Sequence, residues 1–165
     1  MKLDFSSVWQ YWPFLYHGAL TTLKITAMAA VLGFILGVLL SLIKISKCKP
    51  LVWFGNFYTS IFRGTPLLVQ LCIVHFGLPQ LTGMTLTTMQ SGVLTFSLNS
   101  AAYISEIFRG GINAIDRGQY EAAMSLGVGY RDMMKDIILP QAIKSVLPSL
   151  VNEFISLLKN TTLIA

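Results

Sequence analysis

The stretch Ile25–Ile43, ITAMAAVLGFILGVLLSLI, contains no charged residue. A helix needs about 20 mostly apolar residues to cross the hydrocarbon layer of a membrane. This run therefore predicts a spanning helix, and Lys24 just before it can reach the interface with its terminal ammonium. The rest of the chain fits that solvent. Hydrophobic residues make up 54% of the 165 residues and charged residues only 12%, against about 25% charged in an ordinary soluble domain. Mean hydropathy is +0.65. The net charge of +5 sits beside apolar runs, which points to orientation in a bilayer and away from nucleic acid.

Further apolar segments follow in order. Leu51–Phe62 is charge-free and aromatic, and Arg63 interrupts it. Gly64–Leu81 is charge-free, with Pro66 near its start, where a helix tolerates proline. Met89–Phe108 is rich in hydroxyl and small residues, which let helices approach closely and bond to one another, so it should face protein or a pathway. A weaker run from Ser145 to Leu158 contains Pro148, Asn152 and Glu153. The expected organisation is one all-α polytopic membrane domain, 1-165, with spans at about 19-43, 57-81, 89-108 and 143-160. The segment 109-142 carries the charges and must be aqueous. Lys44, Lys47 and Lys49 follow the first span, and the cations of 109-142 follow the third. Positive loops mark the cytoplasmic side, so the N-terminus is expected outside and the loop around Glu121 inside. Trp9, Trp12 and Tyr16 fit a membrane–water interface.

The polar loop reads DRGQYEAAMSLGVGYRDMMKDIILP from Asp116 to Pro140. Asp116 is suited to cap a helix. Tyr120–Leu126 should form a short helix ended by Gly127 and Gly129. A second helix should begin at Arg131–Leu139 and be interrupted by Pro140. Ala122 and Ala123 would leave a small surface that another protein can approach, with Glu121 supplying charge at its rim. By these properties alone the loop reads as a solvated connection. Glu106 and Arg109 are three apart and can pair, either sealing a gate or as a structural interfacial pair. Arg63 reads as an interfacial cation or as a residue lining the path. An intramembrane carboxylate is a functional candidate, which singles out Glu153 beside Asn152. It would meet the amino group of a passing solute or bond to a neighbouring helix. His75, alone in an apolar run, reads as structural. Cys48 and Cys72 have neither metal-ligand spacing nor the look of a disulfide. No GxxxxGK[ST] loop is present, so the chain is not expected to bind ATP itself. No catalytic or metal-binding set is visible, and no enzyme activity is expected.

Residue order adds a family. Glu121-Ala122-Ala123, then Gly127, then Leu139-Pro140 resembles the cytoplasmic coupling loop of ABC-transporter permeases. Phe62-Arg63-Gly64-Thr65-Pro66-Leu67-Leu68-Val69-Gln70, Asn99-Ser100-Ala101-Ala102-Tyr103 and Glu106-Ile107-Phe108-Arg109-Gly110-Gly111 resemble the branch that imports polar amino acids. Gly18–Thr26 and Lys159–Leu163 match the start of its first span and the end of its fourth. The resemblance implies an ABC importer permease fold with four of the usual five spans, the fifth falling beyond Ala165. The chain is accordingly expected to be a fragment or a shortened, non-transporting paralogue. It implies an importer of the glutamine, arginine, histidine or cystine type in a bacterial inner membrane, or alternatively a related methionine, phosphonate or polyamine importer. It implies as partners two cytoplasmic subunits that use ATP and Mg, a second permease copy or a sister permease, and an extracytoplasmic solute-binding protein. Glu121, Ala122, Ala123, Gly127, Leu139 and Pro140 become the residues that dock on the ATPase. Arg63, Asn99, Glu106, Arg109, Asn152 and Glu153 become the candidate pathway or gate residues.

Overall fold

The computed structural model describes residues 6–164. Met1–Phe5 of the amino-terminal aromatic segment, and Ala165, lie outside the described residues. Those described form helices, with no strand among them. The first helix, α1 (Ser6–Ile45), has 40 residues, about 60 Å at 1.5 Å per residue. That is roughly twice the hydrocarbon thickness, so it overshoots the expected span at its amino-terminal side. Trp9, Trp12 and Tyr16 are exposed there. The part Tyr11–Ile45 is the one helix, among the described residues, long and apolar enough to cross a membrane by itself.

The second expected span, 57-81, is not one straight helix. It consists of α2 (Lys49–Gly64), then α3 (Leu67–Cys72), a wide π-helical turn Ile73–Gly77, and α4 (Leu78–Thr82). The two halves bend by 103° at Thr65–Pro66. Proline has no N–H and drives the residue before it into extended geometry, and Thr65 takes φ −113°, ψ 144°. Gly83, at φ +73°, closes α4 in the left-handed conformation that glycine adopts without strain. Thr87 and Gln90 then form a reciprocal cap that starts α5 (Thr88–Asn113).

Helix α5 is the hub, packed on α1, α2, α3 and α8 (Leu139–Asn160). Its polar residues Ser91, Thr95, Ser97, Asn99, Ser100 and Ser105 are all buried, as expected for a span that faces protein. Hydroxyls at Thr95 and Ser97 donate to carbonyls four residues back, which satisfies them within the helix. Meanwhile Val31, Leu32, Ile35, Leu39 and Leu42 of α1 face outward. Polar inside and apolar outside is the arrangement lipid demands. Helices then associate through close packing rather than through a hydrophobic force. Gly33 and Gly37, one turn apart on α1, permit that packing. A Cβ at Gly37 would lie 2.7 Å from Ile104 Cβ, and one at Gly33 would lie 3.0 Å from Ser100 Cβ. Ile25, Ala29, Val93, Phe96 and Leu157 fill the interior where α1, α5 and α8 meet.

Between α5 and α8 stand α6 (Arg117–Ser125) and α7 (Tyr130–Asp132), followed by a second π-helical turn, Met133–Ile138. Asp116 caps α6 by accepting from Gly118 N–H at 2.6 Å. Gly127 adopts φ +73° and turns the chain, as expected. Gly129 does not take that conformation; at φ −62° it leads into the next helix instead. Nor does Pro140 interrupt that helix, which runs unbroken into α8. Leu139 N–H bonds to Met134 O, five residues back. The missing N–H of Pro140 therefore falls at the join of two hydrogen-bond registers.

Candidate functional site

Three features gather the chemically informative side chains. The first is the bend itself. A helix that ends inside a membrane leaves carbonyls without partners, and such backbone is tolerated only inside protein or along a cavity. Thr65 N–H and Oγ1 both donate to Ile61 O, at 3.1 and 2.8 Å. Gln70, 7% exposed, sets its Nε2 within 2.9 Å of Phe62 O, 3.1 Å of Thr65 O and 2.8 Å of Thr65 Oγ1. Asn99 on α5 donates from Nδ2 to Phe62 O and to Gln70 Oε1, each at 3.0 Å. Two amides thus staple the break from both sides. Gln70 was not singled out from sequence. It sits in an apolar run and carries no charge.

Behind the staple lies the second feature, a polar cavity of about 320 Å³ between the bend, α5 and α8. Thr65, Asn99, Tyr103, Glu153, Ser156 and Asn160 contribute its polar lining. Glu153 is half-buried, and its Oε1 accepts from Ser100 Oγ at 2.9 Å. The structure therefore brings Asn99 and Glu153 together. It leaves out Asn152, which is exposed on α8 and is not part of this lining. Arg63 does not line it either. Its guanidinium lies 5.2 Å from the centroid of Tyr103, within cation–π range of a ring that does.

The third feature joins Glu106 and Arg109 as the spacing predicts, and adds Lys44, which its place among the cations after the first span puts in water. Arg109 donates to Glu106 Oε2 from Nε at 3.0 Å and Nη2 at 2.6 Å. Lys44 of α1 forms an ion pair with Glu106 Oε1 and donates to Thr59 Oγ1 of α2 at 3.0 Å. The Lys44 side chain is 1% exposed, so it is not one of the loop cations. Gly55 makes room for it: a Cβ there would lie 2.6 Å from Lys44 Cγ. The cluster ties α1, α2 and α5 together.

The polar loop is seated by its own small core of Ala123, Met133 and Ile138. Here the expectation for the alanine pair needs correction. Ala123 is 2% exposed and packs inward, while only Ala122 faces out. The outer surface is apolar at Met124 of α6 and at Leu126 just after it, 62% and 82% exposed. Glu121 and Met124 border a groove of about 450 Å³ with Ile112, Ile115 and Tyr120. Burial, with Tyr130 nearby, pushes the Tyr120 phenol above its ordinary range, so it stays neutral. Leu139 and Pro140 lie exposed at the start of α8. His75 behaves as a structural residue, its Nδ1 2.9 Å from Ser91 Oγ. Cys48 and Cys72 are unpaired. Among the described residues no group of three or more metal-ligating side chains assembles.

Residues 29–165 match the family described as "Binding-protein-dependent transport system inner membrane component". The chain is 54% identical over 164 residues to the arginine transport system permease protein ArtQ of Bacillus subtilis, covering 99% of this chain and 75% of that one. It is 52% identical over 152 residues to the putative glutamine transport system permease protein GlnP of Rickettsia bellii, covering 92% and 70%. A crystal structure of an amino acid ABC transporter with histidines superposes with TM-score 0.94 at 43% identity, covering 99% of this chain and 76% of that one. An inward-facing structure of the MetNI methionine ABC transporter, 20% identical with TM-score 0.71 over 91% of this chain and 72% of its own, shares the fold.

Proposed function

The chain belongs to the family of binding-protein-dependent transport system inner membrane components, and from that premise we propose that it forms the membrane path of an ATP-driven importer of polar amino acids of the arginine or glutamine type. The ATPase resides in partner subunits that use ATP and Mg, and this chain supplies geometry and a selective path. A solute-binding protein delivers the amino acid from outside, where the N-terminus lies, and the loop 109-142 is cytoplasmic. A second permease, a copy or a sister, completes the path in the inner membrane.

The observation that carries this reading is helix α6 with its C-terminal turn: seated on its own core, it leaves Met124 and Leu126 facing outward. Exposed apolar side chains in an aqueous loop fit a docking contact. The loop runs between α5 and α8, the helices that also wall the polar cavity. ATP binding draws the two ATPase subunits together, and each carries α6 with it as a rigid body. The walls around Glu153 then switch between inward and outward access, and hydrolysis reverses the movement. Within the cavity the Glu153 carboxylate and the Asn99 amide receive the cationic and N–H donor groups of the solute.

The test is co-purification of this permease with its ATPase subunit from membranes, wild type against Met124→Asp. The substituted residue is exposed, so the permease should still fold. Loss of the ATPase subunit from the complex, with permease yield maintained, is the expected result. An undiminished complex with undiminished solute-stimulated ATP hydrolysis would refute the docking role.

A further inference from the structure

We infer that Gln70, which does not line the polar cavity, sets the cavity's selectivity by fixing which atom of Asn99 faces the solute. The inference rests on the reading of the cavity as the solute's path.

Donors and acceptors around the helix break fix the orientation of both amides. Gln70 Nε2 faces three oxygens, Phe62 O, Thr65 O and Thr65 Oγ1. The proton of that hydroxyl is committed to Ile61 O, so all three act as acceptors. The amide nitrogen of Gln70 must therefore point at them, and its oxygen must point the other way, at Asn99. Asn99 in turn meets two acceptors, Gln70 Oε1 and Phe62 O. An amide nitrogen carries two hydrogens, and both are used. Reversing Asn99 would set its oxygen against two oxygens and leave the nitrogen without a place. Oδ1 is thus the polar atom that Asn99 has left, and among the described residues no group donates to it. Asn99 lines the cavity. Backbone carbonyls at the helix break orient Gln70, Gln70 orients Asn99, and Asn99 presents a fixed acceptor beside the Glu153 carboxylate. A fixed acceptor favours a solute rich in N–H donors and disfavours an apolar isostere, because an acceptor that the bound solute shields from water loses most when it is left unpaired. Gln70 is a positioning residue.

Gln70→Met removes both its donor and its acceptor at similar volume. Gln70→Glu keeps an oxygen toward Asn99 Nδ2. The test is direct binding of labelled L-arginine, L-glutamine and L-norleucine to the purified complex of permease and ATPase subunit. The readout is the preference of the better polar amino acid over L-norleucine. Gln70→Met should cut that preference by about tenfold, the worth of one hydrogen bond to a desolvated group, while Gln70→Glu retains it. The double variant Gln70→Met/Asn99→Leu should fall no further than Asn99→Leu alone. If the methionine variant does not assemble, Gln70→Ala takes its place. Both substitutions of Gln70 disturb the staple, so a merely structural role would lower stability in both and leave no difference in preference. Unchanged preference in Gln70→Met, with wild type binding a polar amino acid well, overturns this inference and leaves the proposed function standing. Failure of the wild type to bind either polar amino acid overturns the proposed function and this inference with it.

Discussion

Lys44 offers the sharpest test of the packing. Its ammonium is buried, paired with Glu106 and hydrogen-bonded to Thr59 at 3.0 Å. Lys44→Met keeps most of the aliphatic stem in the space beside Gly55 and deletes the charge. Glu106 then keeps Arg109 but loses its buried partner. Breaking a buried pair from one side costs about 3–5 kcal/mol, because an uncompensated charge is left behind. The low end, about 3 kcal/mol, applies here, since Arg109 still donates two bonds to Glu106 and its side chain, 44% exposed, retains access to water. The double variant Lys44→Met/Glu106→Leu removes both charges of the pair, the buried ammonium and the largely buried carboxylate, and frees Arg109 to extend outward. It should recover most of the loss, as apolar replacement of a buried pair generally does. The measurement is a double-mutant cycle on unfolding of the purified permease in detergent, using Lys44→Met, Glu106→Leu and the double. Strong coupling between the two sites is expected. Destabilisations that simply add, or a Lys44→Met variant as stable as wild type, would refute the account of a desolvated ion pair holding three helices.

Gly37→Leu should separate α1 from α5 and abolish a stable, monodisperse permease in detergent, since even a Cβ would meet Ile104 at 2.7 Å. Gly18→Ala, with nothing within 4 Å of the added carbon, should leave the thermal midpoint level or raise it through helix propensity worth about 0.5–1 kcal/mol. Equal losses in both would show that helix approach is not what the α1 glycines provide. Glu153→Gln keeps an oxygen for Ser100 Oγ and removes the charge. Uptake of L-arginine by proteoliposomes containing the full transporter should fall at least about tenfold, the worth of a charge-assisted bond. Unchanged uptake would remove Glu153 from the path.

What could be read from sequence divides along a physical line. Polar residues inside apolar runs stand out, because lipid penalises them wherever they are not turned inward. That is why Asn99 and Glu153 were legible, and they do share one cavity. The turn at Gly127 was legible because a left-handed residue has few chemical solutions. Lys44 was not, since charge patterning groups it with its neighbours Lys47 and Lys49. Its burial depends on Gly55 and Glu106, positions that no local period connects to it. The cation bias after the first span therefore rests on Lys47 and Lys49 alone. Gln70 escaped for a different reason. A neutral amide in an apolar run looks like a tolerated exception until the helix break at Pro66 is taken seriously. A break there must leave carbonyls of α2 without partners. The nearest side chain beyond the break that can donate twice is Gln70, one turn into α3. The signal was in the sequence as a demand for donors rather than as a motif, and Asn99, from the neighbouring span, supplies the rest.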